Sequence, residues 1–256
     1  SPKKEVFHDL HDHAIGSHHK KGKTITLMHQ SINKQVDLRT ELIQAVDFLD
    51  NHPNCYLIDS NHHRHLDQWF ERYKPNGDDV VNLELYFELG ELLNKSIKVG
   101  GTTDLFRLFC EKYCTAKNIN FITPNDNFEI EGINCSQHGD RGPNGSRGSA
   151  AGFAKTGAKT MIGHSHSWRI IKGAYQVGAS VENLEYESGF STNSIASGII
   201  YNNGNGIRIG TSEIYMALDK LDNIKDALII EFPIEGGASS QLLLFVVASS
   251  PLNDKS

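Results

Sequence analysis

Four short apolar segments in this sequence of 256 residues are each followed at once by a cluster of histidine, aspartate or asparagine. The successive junctions read VF-HDLHD, CYLID-SNHH, INCSQ-HG and TMI-GHSH. Short apolar runs of this kind are typical of buried strands. In α/β folds, loops at the carboxyl ends of strands converge and carry the chemistry. The sequence therefore predicts an α/β fold whose strand-end loops bring these polar side chains together.

The cluster GHSH places two histidines one residue apart. If the strand geometry of the preceding TMI run persists, His164 and His166 project to the same side and can face one pocket. With aspartate and asparagine, imidazoles form an oxygen and nitrogen ligand set suited to Mn²⁺, Fe or Zn²⁺. A closed structural zinc site is disfavoured, because such sites usually contain cysteine and no cysteine adjoins GHSH or SNHH.

The remaining pattern predicts helices in the first half of the chain and β-structure in the second. Apolar residues at helical spacing predict helices over 37–52, 66–73, 79–96 and 103–117. Short β segments begin at Asn120, where we expect a second sheet to start. Hairpins are expected over 169–179 and 198–210, followed by the β-like runs ALIIEF and QLLLFVVA. We expect one principal domain over 1–212, with a β-rich extension of it over 213–256.

Composition limits the partners and the compartment of the protein. The net charge of −6 argues against a general electrostatic grip on nucleic acid, although a local basic surface is compatible with it. No apolar run approaches the roughly 20 residues of a membrane-spanning helix, and the N-terminal segment lacks the features of a secretory signal. Four cysteines without a CxxC pair fit a reducing cytoplasm. Apolar surface on the helical middle and the C-terminal β runs allows a homo-oligomer.

The four clusters resemble, in type and in order, the motifs of the calcineurin-like metallophosphoesterase family. HDLHD, SNHH, QHG and GHSH stand where that family has its second and later motifs. The resemblance covers about residues 6–210 and is nearest to phage-encoded members that process nucleic acid, which would place the protein in the host cytoplasm. It implies a sandwich of mixed β-sheets flanked by helices. It also implies two divalent ions per intact site, with Mn²⁺ expected and Fe, Zn²⁺ or Mg²⁺ as alternatives.

The resemblance assigns roles at the matching positions. The implied metal ligands are Asp9, Asn61, His138, His164 and His166. Asp9 would bridge the two ions. His62 would protonate the leaving oxygen or stabilise the phosphoryl transition state, and Asp12 would orient His62. Arg64 would help to neutralise phosphate charge.

Three departures from the family pattern stand out. The first motif, D-x-H, should precede D-x-x-D by a few tens of residues, yet only eight residues precede Asp9. We expect that motif to lie upstream, and the alternative is that Asp9-Leu10-His11 is itself the first motif. His8 and Ser60 stand where the family has glycine, and His63 replaces an acidic residue.

A glycine-rich stretch, GDRGPNGSRGSAAG, follows the third cluster. It lacks the GK[ST] ending of a phosphate-binding P-loop, so we expect a flexible loop at the rim of the site. Arg141 and Arg147, with the lysines that follow them, are the candidates for contacts to a phosphodiester.

The leading functional hypothesis is a phosphodiesterase or nuclease that hydrolyses DNA by a two-metal mechanism. A phosphomonoesterase or a cyclic-nucleotide phosphodiesterase is the nearest enzymatic alternative. A non-catalytic DNA-binding or protein-binding assembly module with a degraded metal site is the alternative from a different class.

Overall fold

The polar clusters are distributed over two structural units, Ser1–Asp126 and Asn127–Ser256, each described here by itself. The structure is a computed structural model. It describes residues 4–10, 37–75, 80–116, 118–179, 196–200, 207–211, 224–233 and 240–248.

The sheet of the first unit has three parallel strands. They are β1 (Val6–His8), β2 (Tyr56–Ile58) and β3 (Asn120–Ile122), in the order β1-β2-β3. Tyr56 pairs with Val6 on one side and with Asn120 on the other. The prediction that a second sheet starts at Asn120 is therefore wrong. The segment NFI is short and β-like as expected, but a long helical crossover returns it to the first sheet beside β2.

Four helices of the first unit share an apolar core with this sheet. They are α1 (Leu38–Asp50), α2 (His63–Arg72), α3 (Leu83–Lys98) and α4 (Leu105–Tyr113). Asp37 begins α1 by accepting a hydrogen bond from the backbone nitrogen of Arg39 at 3.0 Å, which satisfies a donor left open in the first turn. Leu38, Leu42 and Leu49 are fully buried. The helix predicted over 37–52 is thus confirmed, while α2 begins three residues earlier than expected.

Two carboxylates join helices of this unit through hydrogen bonds. The Glu88 carboxylate on α3 accepts hydrogen bonds from Arg39, Lys112 and Tyr113. The Asp67 carboxylate on α2 accepts a hydrogen bond from the backbone nitrogen of Leu105 at 3.0 Å, at the first residue of α4. Both carboxylates therefore hold neighbouring helices together at partly buried positions.

The main sheet of the second unit has five strands. They are β4 (Glu129–Ile130), β5 (Ile133–Asn134), β6 (Thr160–Ile162), β7 (Arg169–Ile171) and β8 (Ala174–Gln176), in the order β4-β5-β6-β8-β7. β5, β6 and β8 run parallel, and β7 returns antiparallel to β8 as the predicted hairpin. A short helix, α5 (Ala150–Ala154), packs Ala150 and Phe153 against Ile162 and Ala174.

Two further hairpins complete the described part of the second unit. β9 (Ala196–Ile200) pairs with β10 (Ile207–Thr211), and β11 (Ile224–Pro233) pairs with β12 (Ser240–Ala248). The hairpin predicted over 198–210 and both late β runs are confirmed. The chain is thus of the mixed α/β class. The boundary between a principal domain over 1–212 and a β-rich extension over 213–256 stays a prediction. Within the described residues, no helix is long and apolar enough to cross a membrane.

Candidate functional site

In the first unit, an aspartate and a histidine come together at the ends of neighbouring parallel strands. Asp9 follows β1 and His62 lies four residues beyond β2. The Asp9 Oδ2 atom is 3.2 Å from His62 Nδ1, and the two side chains are only 15% and 16% exposed. The juxtaposition predicted for the ends of these strands is therefore present within this unit.

The backbone at Asp9 adopts an uncommon conformation. Its φ of 55° lies in the left-handed region, which costs a residue with a Cβ atom about 1 kcal/mol or more. Aspartate tolerates this region better than most residues, and such strain is concentrated at functional sites. His8 precedes it, and burial lowers the pKa of His8 to about 4. His8 is therefore neutral near pH 7.

The start of α2 fixes the position of His62. The buried hydroxyl of Ser60 accepts a hydrogen bond from the backbone nitrogen of His63 at 3.2 Å. The His62 ring stacks on His65 with 5.1 Å between centroids, and the His63 ring stacks on Phe106 at 4.4 Å. His63 is 3% exposed. The residue that replaces the family's acid is thus a core residue of this unit, and Ser60 acts as a helix-capping residue.

The other predicted residues of the first unit have different surroundings. Asn61 is half-buried in the turn before α2. Arg64 Nη1 lies 2.7 Å from Asp59 Oδ2, so a phosphate would have to share this guanidinium with a carboxylate. Asp12, which the resemblance assigns to orient His62, lies outside the described residues. Within the described residues, the Asp9 carboxylate contacts the His62 ring.

In the second unit, two histidines meet at the ends of neighbouring parallel strands. His138 follows β5 and His164 follows β6, and their ring centroids are 5.2 Å apart with the planes at 77°. His138 is 1% exposed. Its carbonyl oxygen accepts hydrogen bonds from the backbone nitrogens of Gly163 at 2.8 Å and of His164 at 3.0 Å. The backbone itself thus ties the QHG cluster to the GHSH cluster.

Gly139, next to His138, has no room for a side chain. Its φ is 105°, and a Cβ atom at this position would lie 2.9 Å from the Ile162 Cβ atom. Glycine therefore allows the chain to leave His138 while passing directly over the end of β6. The close contact of Gly139 with Ile162 holds His138 against the end of β6, from which His164 follows. It adds to the hydrogen bonds that the carbonyl oxygen of His138 accepts.

The GHSH cluster lies beyond the end of its strand. β6 ends at Ile162, and residues 164–167 form bends. The strand geometry from which His164 and His166 were expected to share one side therefore does not persist. The Gln176 side chain donates a hydrogen bond to the carbonyl oxygen of Ser167 at 2.5 Å and holds this loop against β8. His166 is half-buried within the loop.

The glycine-rich segment is a closed turn and not the flexible loop expected from its composition. Arg141 and Arg147 form an antiparallel bridge. The Gly142 nitrogen donates to Ser146 at 2.8 Å, and the Gly148 nitrogen donates to Asp140 at 3.1 Å. A Cβ atom on Gly148 would lie 1.6 Å from the Gly139 carbonyl oxygen. The glycines are thus required because two chain segments pass each other closely.

The donor chemistry of these clusters fits a divalent ion. Imidazole nitrogens bind such ions at about 2.1 Å, so two rings at the separation of His138 and His164 can reach one ion. The ligand set implied by the resemblance takes Asp9 and Asn61 from the first unit and three histidines from the second. Within the part of the chain that the structure describes, no group of three or more histidine, cysteine, aspartate or glutamate side chains could hold a metal ion.

A cavity of about 180 Å³ in the first unit is lined in part by charged residues that the motif analysis missed. Asp59, Asp67 and Asp104 line it together with Arg64 and Arg107. Burial raises the pKa of Asp67 to about 7 and also raises that of Asp104. Asp59 directly follows the CYLI run, so its position after a strand was the available signal. Asp67 and Asp104 lie in segments whose apolar spacing predicts only helices. The sequence therefore does not distinguish them from surface carboxylates.

The fold and these clusters define a mixed α/β protein with histidine and aspartate gathered at strand ends. The chain is similar to Protein A1 of Escherichia phage T5, with 30% identity over 211 residues. The similarity covers 79% of this chain and 38% of Protein A1, so the chain spans about two fifths of the length of the relative it matches. No protein-family model matches the sequence, and no solved structure matches it.

The similarity to Protein A1 supports a phage association of the chain.

Proposed function

We propose that the chain is a metal-dependent phosphoesterase, and specifically a phosphodiesterase or nuclease that hydrolyses DNA by a two-metal mechanism. The observation that carries the proposal is the contact between the rings of His138 and His164, 5.2 Å apart at the ends of two parallel strands. Two shielded imidazoles held this close by the backbone are suited to binding a cation. Mn²⁺ is the expected ion, with Fe, Zn²⁺ and Mg²⁺ as alternatives.

The proposal gives each cluster a chemical task. Asp9, Asn61, His138, His164 and His166 would hold the ions. When bound, the ions would polarise the phosphate and activate the attacking water. His62, oriented by the Asp9 carboxylate at 3.2 Å, would hold the proton that the leaving oxygen takes up. The low exposure of Asp9 and His62 limits competition from bulk water for the contact between them.

A polymeric substrate is favoured by charge and by similarity. Arg141 and Arg147 are exposed on a closed turn that begins directly after His138, where they can neutralise phosphates. The similarity to a phage protein is compatible with an enzyme that acts on nucleic acid. Arg64 is assigned a smaller share of phosphate neutralisation, because its guanidinium already contacts the Asp59 carboxylate.

The substrate assignment is tested with a panel of phosphate esters at a fixed Mn²⁺ concentration. Plasmid DNA and bis(p-nitrophenyl) phosphate report diester cleavage, while p-nitrophenyl phosphate and a cyclic nucleotide report the alternatives. Cleavage of the plasmid and the diester by the wild type, lost in His164→Ala, is the expected result. Intact plasmid together with rapid turnover of the monoester would contradict the nuclease assignment.

A second candidate is a non-catalytic module that binds DNA or protein. It is favoured by one observation, namely that the described residues include no cluster of three or more typical metal-binding side chains. Wild-type protein that binds no divalent ion and cleaves no ester in the panel, yet retains DNA on a filter, would favour this module over the enzyme.

A further inference from the structure

The segment 133–179 is basic within an acidic protein. It contains six lysines and arginines and a single acidic residue, whereas the whole chain has a net charge of −6. All six basic side chains are exposed, and they are Arg141, Arg147, Lys155, Lys159, Arg169 and Lys172. Neutralisation of phosphates by such side chains supplies most of the sequence-independent affinity for nucleic acid. This part of the second unit is therefore the best candidate surface for a polyanion.

The topology of the sheet gathers part of this charge beside the histidines. We call the carboxyl ends of the parallel strands β5, β6 and β8 the histidine edge, because His138 and His164 lie there. β7 runs in the opposite direction, and its first residue, Arg169, pairs with Gln176 at the end of β8. Trp168 and Arg169 are therefore at the histidine edge. Lys172 lies in the turn at the other end of β7.

Trp168 is an exposed aromatic side chain on this basic edge. It is 43% exposed, whereas the other tryptophan of the chain, Trp69, is 8% exposed. Trp168 directly precedes β7, and Ile170 within β7 is also exposed, because successive strand residues face opposite sides and Ile171 packs with α5. A large flat ring that is partly exposed next to a basic residue, Arg169, is suited to stacking on a nucleobase.

Arg141 and Arg147 add a second feature at the same edge. They oppose each other in an antiparallel bridge, and residues directly opposite in such a pair have their side chains on the same face. Like charges opposite each other are unfavourable. The Asp140 carboxylate, 3.8 Å from Arg141 Nε, offsets part of the repulsion, and an anion bound between the arginines relieves the rest. Gly148, which follows Arg147, packs closely against Gly139, which follows His138. The arginine pair therefore lies near His138.

We propose that the histidine edge binds an unpaired stretch of nucleic acid. Trp168 stacks on a base, while Arg141, Arg147 and Arg169 contact the phosphates beside it. An unpaired strand is required because the faces of bases in a duplex are already stacked on their neighbours. The inference rests on the proposed function for its substrate, but it concerns binding alone and is measured without hydrolysis.

Binding is measured with the full chain in EDTA, by anisotropy of fluorescein-labelled oligothymidylate and of a labelled duplex. The single strand is expected to bind more tightly and to quench tryptophan emission, because the exposed tryptophan is the one that stacks. Trp168→Ala is expected to weaken binding by roughly 5- to 100-fold. Trp168→Phe retains a stacking ring and is expected to keep most of the affinity.

The arginines are tested against a matched lysine on the same hairpin. Arg169→Ala is expected to weaken binding and to lower the salt dependence by about one ion, whereas Lys172→Ala at the opposite end of β7 should change both less. Melting by circular dichroism confirms that each variant is folded.

Equal binding of single strand and duplex, or unchanged affinity in folded Trp168→Ala, would overturn the inference. Single-strand binding that depends on Trp168, in a protein that cleaves no phosphate ester, would support the inference and contradict the proposed function. The two failures are thus distinguishable.

Discussion

Asp9 and His62 are in contact at the ends of two adjacent parallel strands, with Asp9 Oδ2 3.2 Å from His62 Nδ1. The contact brings the first two sequence clusters together within one unit. The Asp9 backbone is held in the left-handed region at this point, so the chain accepts strain in order to present this carboxylate.

Replacement of His62 tests the role of this pair in catalysis. His62→Gln removes the proton-holding imidazole and is expected to lower kcat for a phosphodiester by about 10²- to 10⁴-fold, with little change in thermal stability. His52→Gln is the matched control, because His52 also contacts a carboxylate, Glu5 at 3.0 Å. Unchanged kcat in His62→Gln would remove His62 from the mechanism.

Substitution of Gly139 tests how the second cluster is held. Gly139→Ala combines a φ of 105° with a Cβ contact of 2.9 Å to Ile162 and is expected to cost about 2–4 kcal/mol of unfolding free energy. Gly157→Ala has a φ of 75° but no atom within 4 Å and is expected to cost about 1 kcal/mol. Urea unfolding followed by circular dichroism measures both, and equal costs would contradict the close packing.

The contacts of Glu88 predict an acid-sensitive part of the stability. Desolvation raises the pKa of Glu88, but hydrogen bonds from Lys112, Tyr113 and Arg39 outweigh it and lower the pKa to about 2. The stabilisation is therefore complete above the ordinary pKa of 4.5 and is lost as the pH falls towards 2. Glu88→Gln is expected to lower the unfolding free energy at pH 7 by about 1–3 kcal/mol, with a smaller difference below pH 4.

Glu84 supplies the control for Glu88. Glu84 lies on α3, as Glu88 does, and its Oε1 atom is 3.9 Å from Arg39 Nη2. Its side chain, however, is 91% exposed. Glu84→Gln should therefore leave the unfolding free energy nearly unchanged. Equal effects of the two substitutions in thermal unfolding would mean that the buried contacts of Glu88 are not the source of the stabilisation.

Asp67 predicts the opposite pH dependence. Burial raises its pKa from 3.8 to about 7, so the folded protein retains a proton that the unfolded chain releases. The contribution of Asp67 to stability is thus present at low pH and is lost as the pH rises towards 7 and above. Asp67→Asn keeps an acceptor for the Leu105 nitrogen and is expected to stabilise the protein by about 1–2 kcal/mol at pH 8. A gain that is as large at pH 5 would contradict this explanation.

The order of the elements and the four clusters could be predicted because each depends on local pattern. α1 and the hairpin of β7 and β8 follow from apolar spacing and turn residues alone. The placement of β3 could not be predicted from the sequence, because a three-residue strand gives no signal of which sheet it joins. The geometry of GHSH was missed for a related reason, since β6 ends one residue before the cluster and side-chain alternation stops with it.

The surroundings of single residues were the least predictable part of the candidate site. Arg64 was expected to face a phosphate, but Asp59, five residues earlier, occupies it. His63 was identified only as the residue that replaces an acid beside His62, but its ring is stacked on Phe106, which follows it by more than forty positions. Both contacts depend on how α2 and α4 pack, and neither helix reveals its neighbours in its own pattern.

Metal binding linked to hydrolysis tests the central proposal most directly. Wild type, His138→Gln and His164→Gln are each equilibrated with Mn²⁺, desalted, and assayed for bound metal and for cleavage of bis(p-nitrophenyl) phosphate. The account predicts bound Mn²⁺ and cleavage in the wild type, with both lost in the two folded variants. Wild-type cleavage that persists unchanged in both variants, or a wild type that binds no divalent ion, would contradict it.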